Sequence, residues 1–363
     1  MTPFIPGLQL SELFYQKAVQ PILERDFPGL AHSAALIGAG SEVLGFDTEM
    51  STDHGWGPRL LLFLRDDDSS AETIHETLRQ KLPYHFYSYS TNFSAPDPAD
   101  GGTQLLEEAA SGPVNHRVEI HTLREFFLVY LNFDIQKDIH PADWLTFSEQ
   151  KLRSITAGAV YHDEIGLEAV RQRFVYYPHA VWLYLLAAAW TRIGQEEHLM
   201  GRAGFVGDEI GSALIASRLV RDVMRLGFLM ERQYAPYPKW FGTAFARLDC
   251  APRLMPALRE ALTAPTWQAR EQYLVSAYEA LAEQHNNLNL TEMLPAQVSS
   301  FHNRPFRVIH AERFADALKM QIQDPEVKRI ADKRLIGGID LISDNTDLLA
   351  EPRWRLQLRG LYD

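Results

Sequence analysis

Two rhythms of apolar residues divide this chain. In its first part short apolar blocks alternate with polar and glycine-rich turns; later the apolar positions recur at helical spacing over long stretches. Leu10, Leu13, Phe14 and Ala18 predict an amphipathic helix over residues 8–24. The run 34–37 ends in glycines, as a buried strand does before a turn, and 59–64 is apolar on both faces, the pattern of a buried strand. Ser69 and Glu72 match a capping box at the head of a helix reaching Lys81. Weak alternation over 84–89 predicts a third strand. The Pro-, Asp- and Gly-rich stretch 95–112 predicts an exposed loop, followed by a strand at Val118-Glu119-Ile120 and a helix over 123–131.

From Trp144 onward the pattern predicts helix almost throughout. Pro178 suits the first position of a helix through Met200, which Gly201 and Gly204 would break. A second long helix is expected over 208–232, with Ile210, Leu214, Leu219, Val223 and Leu226 as its core stripe, ended by Pro236 and Pro238. Further helices are expected over 253–262, 267–285, 313–323 and 325–333. The fold class is therefore α+β: an N-terminal domain with a small mixed sheet over residues 1–150, then an all-α helical bundle over 151–363.

Composition narrows the function classes. The chain has 363 residues, 46% hydrophobic and 23% charged, as in ordinary globular proteins, and its length favours two domains. Thirty-five Lys and Arg against 47 Asp and Glu give a net charge of -12. That balance argues against a duplex nucleic-acid partner, which needs a basic face. Cys250 alone forms no intramolecular disulfide and reads as a small apolar residue in a reducing, cytoplasmic setting. The N-terminal stretch lacks the layout of a signal peptide, and the apolar run 180–190 is too short to span a bilayer, so no membrane role is expected. The thirteen histidines include His116 and His121 around Glu119, but no His-Glu-x-x-His or paired-Cys spacing spells a zinc site.

The most informative stretch is Gly38-Ala39-Gly40-Ser41, followed by Asp53-His54-Gly55 before the second apolar run. A Gly-Ser turn can hold a phosphate through backbone N–H groups, and a nearby carboxylate can hold the magnesium that accompanies it. Gly38-Ala39-Gly40 lacks the third glycine of a dinucleotide fingerprint, and no lysine follows to make a P-loop.

The arrangement resembles the signature of the polymerase-β-type nucleotidyltransferase superfamily, in which Gly-Ser is followed by two acidic residues separated by a single position. The chain at large resembles an uncharacterised bacterial branch of nucleotidyltransferase-like proteins known as a domain of unknown function. Its marks here are the run from Gly40 to Asp47, Asp53-His54 before Trp56-Gly57-Pro58-Arg59, Gln195-Glu196-Glu197, Gly201-Arg202, the run from Gly207 to Ser212 and Tyr234-Ala235-Pro236-Tyr237-Pro238-Lys239-Trp240. The resemblance implies transfer of a nucleoside monophosphate from a magnesium-bound triphosphate, ATP foremost, to a hydroxyl or amine of a small-molecule or protein acceptor. Pyrophosphate would leave, and the helical domain would cover the acceptor side of the cleft. It also implies the roles: Gly40 and Ser41 bind phosphates, and Asp53 and Glu119 are the catalytic carboxylates and magnesium ligands. Among the charged residues of the helical half, Lys239 foremost and Arg202 are read as the phosphate contacts.

The second acidic position falls on Gly55. If a strand runs through it, residues two apart share a face, and His54 points the other way. Three arrangements stay open. Asp53 and Glu119 hold one metal; or Asp47 or Glu49 swings in as a further ligand; or the site binds a nucleotide without transferring it. The competing functions are accordingly a nucleotide- or partner-binding protein that kept the fold, and a cleft reassigned to another small-molecule reaction. Arg202, Asp208, Glu209 and Arg218, set among apolar residues, either contact ligand or form internal salt bridges. Tyr237 and Trp240 either stack on a base or belong to the core.

Overall fold

The computed structural model describes residues 4–53 and 55–363, Asp53 by its backbone alone. It is an α+β chain with a small mixed sheet and a helical C-terminal region. The chain divides into two compact units, Met1–Asp138 with Lys151–Val175, and Ile139–Gln150 with Tyr176–Asp363.

The first unit is built on four strands: β1 (His32–Leu36), β2 (Arg59–Leu64), β3 (Arg117–Thr122) and β4 (Ala159–Asp163), in the order β3-β2-β1-β4. β1 pairs antiparallel with β2 and β4, whereas β2 and β3 are parallel, with Arg59 opposite Arg117 and Leu61 opposite Glu119. β4 lies where the pattern predicted helix. Its residues Ala159-Val160-Tyr161-His162-Asp163 are too short a run for periodicity to separate strand from helix, and pairing with β1 decides it. The weak strand expected at 84–89 is a hairpin of two-residue pairs, His85–Phe86 with Tyr89–Ser90.

One face of the sheet presents Leu60, Leu62, Leu64 and Val118 to a core with Leu10, Phe14, Val19, Ile74 and Leu78. The helix expected over 8–24 runs from Gly7 to Asp26, with a π-helical stretch, Tyr15–Val19, in its middle. Pro21 follows that stretch and has no N–H for an ordinary helical bond, which accounts for the wider turn. The Ala71–Lys81 helix forms as expected but without a side-chain cap from the preceding serine; Asp68 accepts the Ser70 N–H instead. The Leu123–Leu131 helix starts with a reciprocal Thr122–Glu125 capping box and stops at Asn132, which adopts the left-handed conformation.

In the second unit, His179–Glu196 buries an unbroken run from Val181 to Trp190, so this helix lies inside its bundle. Gly201 and Gly204 do not break a helix; both lie within the Leu199–Phe205 helix. Their role is close approach: a Cβ on Gly204 would stand 2.2 Å from Trp267 Cβ, and one on Gly201 2.9 Å from the Phe306 ring. The Glu209–Met230 helix is capped by Asp208, which accepts the Gly211 N–H at 2.7 Å. Its expected core stripe is buried only from Leu219 onward, while Ile210 and Leu214 are 78% and 59% exposed. Pro238 opens the next helix, Pro238–Phe245. No described helix is long and apolar enough to cross a membrane.

Candidate functional site

Strand alternation sets the chemistry of β3. Val118 and Ile120 face the core, so Arg117, Glu119 and His121 share the opposite face. Arg117 Nη2 donates to Glu119 Oε1 at 3.1 Å, and His121 Nε2 stands 3.7 Å from Oε2. His121 and the positive charges of Arg117 and Arg59 hold the Glu119 carboxyl down at about 2, against the opposing effect of burial. Glu119 is therefore ionised at neutral pH. Such a carboxylate is a ready cation ligand and a poor proton acceptor.

The other end of Arg117 meets the expected metal position. Its Nη1 donates to the Gly55 carbonyl at 3.0 Å, and a Cβ on Gly55 would stand 3.3 Å from that nitrogen. Gly55 has φ +66°, and its N–H donates to the Gln104 carbonyl. The strand geometry expected for positions 53 and 55 does not apply. Asp53 ends a 3₁₀ turn, Glu49–Asp53, and β2 begins only at Arg59. The Asp53 side chain and all of His54 lie outside the described residues.

The Gly-Ser turn is braced from β2. Arg59 donates to Glu42 Oε1 through Nε at 2.9 Å and Nη2 at 2.5 Å, and Nη2 also reaches the Ala39 carbonyl at 2.6 Å. A Cβ on Gly40 would come within 2.5 Å of that guanidinium and 2.6 Å of Glu42 Oε2. With φ +138° as well, the position demands glycine. The Ser41 carbonyl accepts the Phe46 N–H at 2.9 Å, closing the loop, while the Ser41 hydroxyl has no hydrogen-bond partner among the described residues. Asp47 is committed locally: its Oδ2 accepts the Gly7 N–H at 2.7 Å and Trp56 Nε1 at 3.1 Å.

Beside β3, at the edge of the sheet, runs an open groove of ≈ 390 Å³ lined by Glu72, His75, His116, Arg117, Glu119 and His121. His116 is buried, and burial pushes its imidazole down to about 4, so it is neutral and serves as a backbone partner of His75 and Val118.

Arg202 and Lys239 belong to the second unit and are both exposed. Lys239 Nζ lies 5.0 Å from the Trp240 ring, whose Nε1 donates to Tyr237 Oη at 2.7 Å. Glu209 and Arg218 are structural partners: Glu209 pairs with Arg270 at 2.5 Å, and Arg218 makes a bidentate pair with Glu196 at 2.9 and 3.0 Å. Cys250 is half-buried, and burial together with Glu231 raises its thiol pKa, so it is not a thiolate nucleophile.

Sequence reasoning missed two groups. One is the Arg59–Glu42 and Arg117–Glu119 pairing; the alternation Arg117-x-Glu119-x-His121 beside an apolar strand was the available signal. The other lies in the second unit, where Glu149, Arg225 and Asp340 line a small enclosed cavity. The Glu149 N–H donates to Asp340 Oδ2 at 2.9 Å, and Glu149 Oε2 accepts the Ala235 N–H at 2.7 Å. These residues are too far apart in sequence for any local pattern to join them. The cavity, with room for about one water, is bracing rather than a nucleotide site.

Residues 144–241, less than half of the chain, match the family described as "Domain of unknown function (DUF4037)". No curated protein matches. Among solved structures the chain is similar to a nucleotidyltransferase-like protein from Exiguobacterium sibiricum 255-15, at 10% identity and a TM-score of 0.34, over 88% of this chain and 91% of that one.

Proposed function

We propose that the first unit binds a nucleoside triphosphate with Mg²⁺ as a nucleotidyltransferase-type protein whose capacity for transfer is weakened at Gly55. The observation that carries this reading is the Arg117 guanidinium, held between the Gly55 carbonyl and the Glu119 carboxylate. Transfer chemistry of this type uses paired carboxylates to hold metal at the reacting phosphorus. Here a fixed cation stands beside the position that has no carboxylate. A guanidinium neutralises phosphate charge but activates no acceptor. Gly40 and the uncommitted Ser41 hydroxyl would take the terminal phosphates, and Asp53 would hold Mg²⁺.

A second reading keeps transfer to an acceptor hydroxyl or amine. The ionised Glu119 favours it, as a metal ligand with Asp53 and not as the base.

Calorimetry with ATP, GTP, CTP and UTP, with and without Mg²⁺, is paired with a pyrophosphate-release assay over an acceptor panel. Magnesium-dependent binding without pyrophosphate release is the expected result. Asp53→Ala should weaken magnesium-dependent binding by at least the about 10–100-fold that losing a mere outer partner of a metal ligand costs. Gly55→Asp places a carboxylate beside Arg117 at a left-handed position that Asp tolerates, and should strengthen the magnesium dependence. Pyrophosphate release by the natural chain would favour the second reading. Absence of binding to all four nucleotides would end both.

A further inference from the structure

A separate cluster lies where β1 begins and β4 ends. His32 opens β1, His162 is on β4, and Glu164 follows β4 directly. One ligand atom from each lies within 4.8 Å of the other two. We propose that His32, His162 and Glu164 form a binding site for a divalent transition-metal cation of the zinc class, tying the start of β1 to the end of β4.

Three observations support it. The first is tautomer control: His32 Nδ1 stands 3.0 Å from the Leu30 carbonyl, an acceptor, so the proton sits on Nδ1 and Nε2 keeps its lone pair. That is the outer hydrogen bond that orients ligating histidines. The second is His162 Nε2, which is shut off from solvent and has no hydrogen-bond partner among the described residues. Its companion is the Glu164 carboxylate at 3.5 Å. The third is the backbone. The Glu164 N–H donates to the His32 carbonyl at 3.1 Å, fixing both ligands on paired chain segments. Asp163 also anchors the turn by accepting the Ser33 hydroxyl at 2.6 Å and the N–H groups of Gly166, Leu167 and Glu168.

The two imidazole rings stack at 4.4 Å, and the Tyr15 hydroxyl lies 2.9 Å from His32 Nε2. That phenol donates to the lone pair and yields it to an incoming cation. Ligand atoms around a tetrahedral zinc at about 2.0–2.1 Å stand roughly 3.3 Å apart. The His162–Glu164 pair already meets that spacing. Glu164 is half-exposed, so its carboxylate is free to rotate toward the two imidazoles. Two imidazoles and one carboxylate select zinc-class ions over Mg²⁺, which prefers oxygen.

The test uses the full chain stripped with chelator and titrated with Co²⁺ and Zn²⁺. One equivalent of Co²⁺ should bind with visible d–d absorption, be displaced by Zn²⁺ and resist excess Mg²⁺. His162→Ala and Glu164→Gln should each weaken Co²⁺ binding by about tenfold or more. Glu164 is exposed enough that its variant should fold, which circular dichroism checks. Failure of the natural chain to bind, or equal affinity in both folded variants, would overturn the proposal.

Discussion

Glu42→Gln tests how the Gly-Ser turn is held. Glu42 and Arg59 are a buried ion pair, their side chains 5% and 10% exposed, and among the described residues the guanidinium's other acceptor is the Ala39 carbonyl. Removing one charge strands the other away from water, which costs about 3–5 kcal/mol in buried pairs. Glutamine keeps one acceptor oxygen, so the lower end applies, about 3 kcal/mol. At about 2–4 °C per kcal/mol for a domain of ~150–250 residues, the first unit's Tm should fall by roughly 6–12 °C. Differential scanning calorimetry reads this, with urea titration as a check on the two-state assumption. The double variant Glu42→Met with Arg59→Met removes both charges and should recover most of the loss, since apolar replacements of buried pairs are often neutral. A fall below about 2 °C in the single variant, or no recovery in the double, would refute the claim that this pair sets the turn.

Two further outcomes follow from the second unit. Asp222 is 2% exposed, has no hydrogen-bond partner among the described residues and stands 3.7 Å from Arg192. Burial raises its carboxyl to about 6, so the native state holds the proton more tightly than the unfolded chain, and stability falls as pH rises from about 4 to 6. Asp222→Asn should remove that loss, raising stability at pH 7–8 by up to about 3 kcal/mol and leaving it nearly unchanged near pH 4; an equal effect at both, read by urea titration, would contradict the assignment. Gly204→Ala forces a Cβ to 2.2 Å from Trp267 and should cost about 1–3 kcal/mol, read as a lower Tm; an unchanged Tm would mean the helices separate freely there.

Local chemistry was legible where a single segment decides the outcome. The strand at 59–64 and the helices at 123–131 and 325–333 form where periodicity and capping placed them. Glu119 lies in a strand, as its neighbours predicted, and Gly40 occupies a turn that only glycine fits. The errors share a cause. Glycine in a helix reads as a breaker, yet Gly201 and Gly204 are there because Phe306 and Trp267 pack against the helix. Ile210 and Leu214 read as core, yet what covers a helix face is set by its neighbours and not by its own period.

By itself, then, the sequence determined the α+β class, most helix positions and the glycine turn at Gly40, because propensity, capping and backbone freedom act over a few neighbouring residues. Only the tertiary structure decided which charges meet. Arg117 reaches Gly55, Arg59 reaches Glu42, Asp47 is taken by Gly7 and Trp56, and His32 stacks on His162 across paired strands. Coulomb attraction and desolvation depend on distance in space and on exclusion of water. Neither can be read along the chain until the sheet has brought distant segments into register.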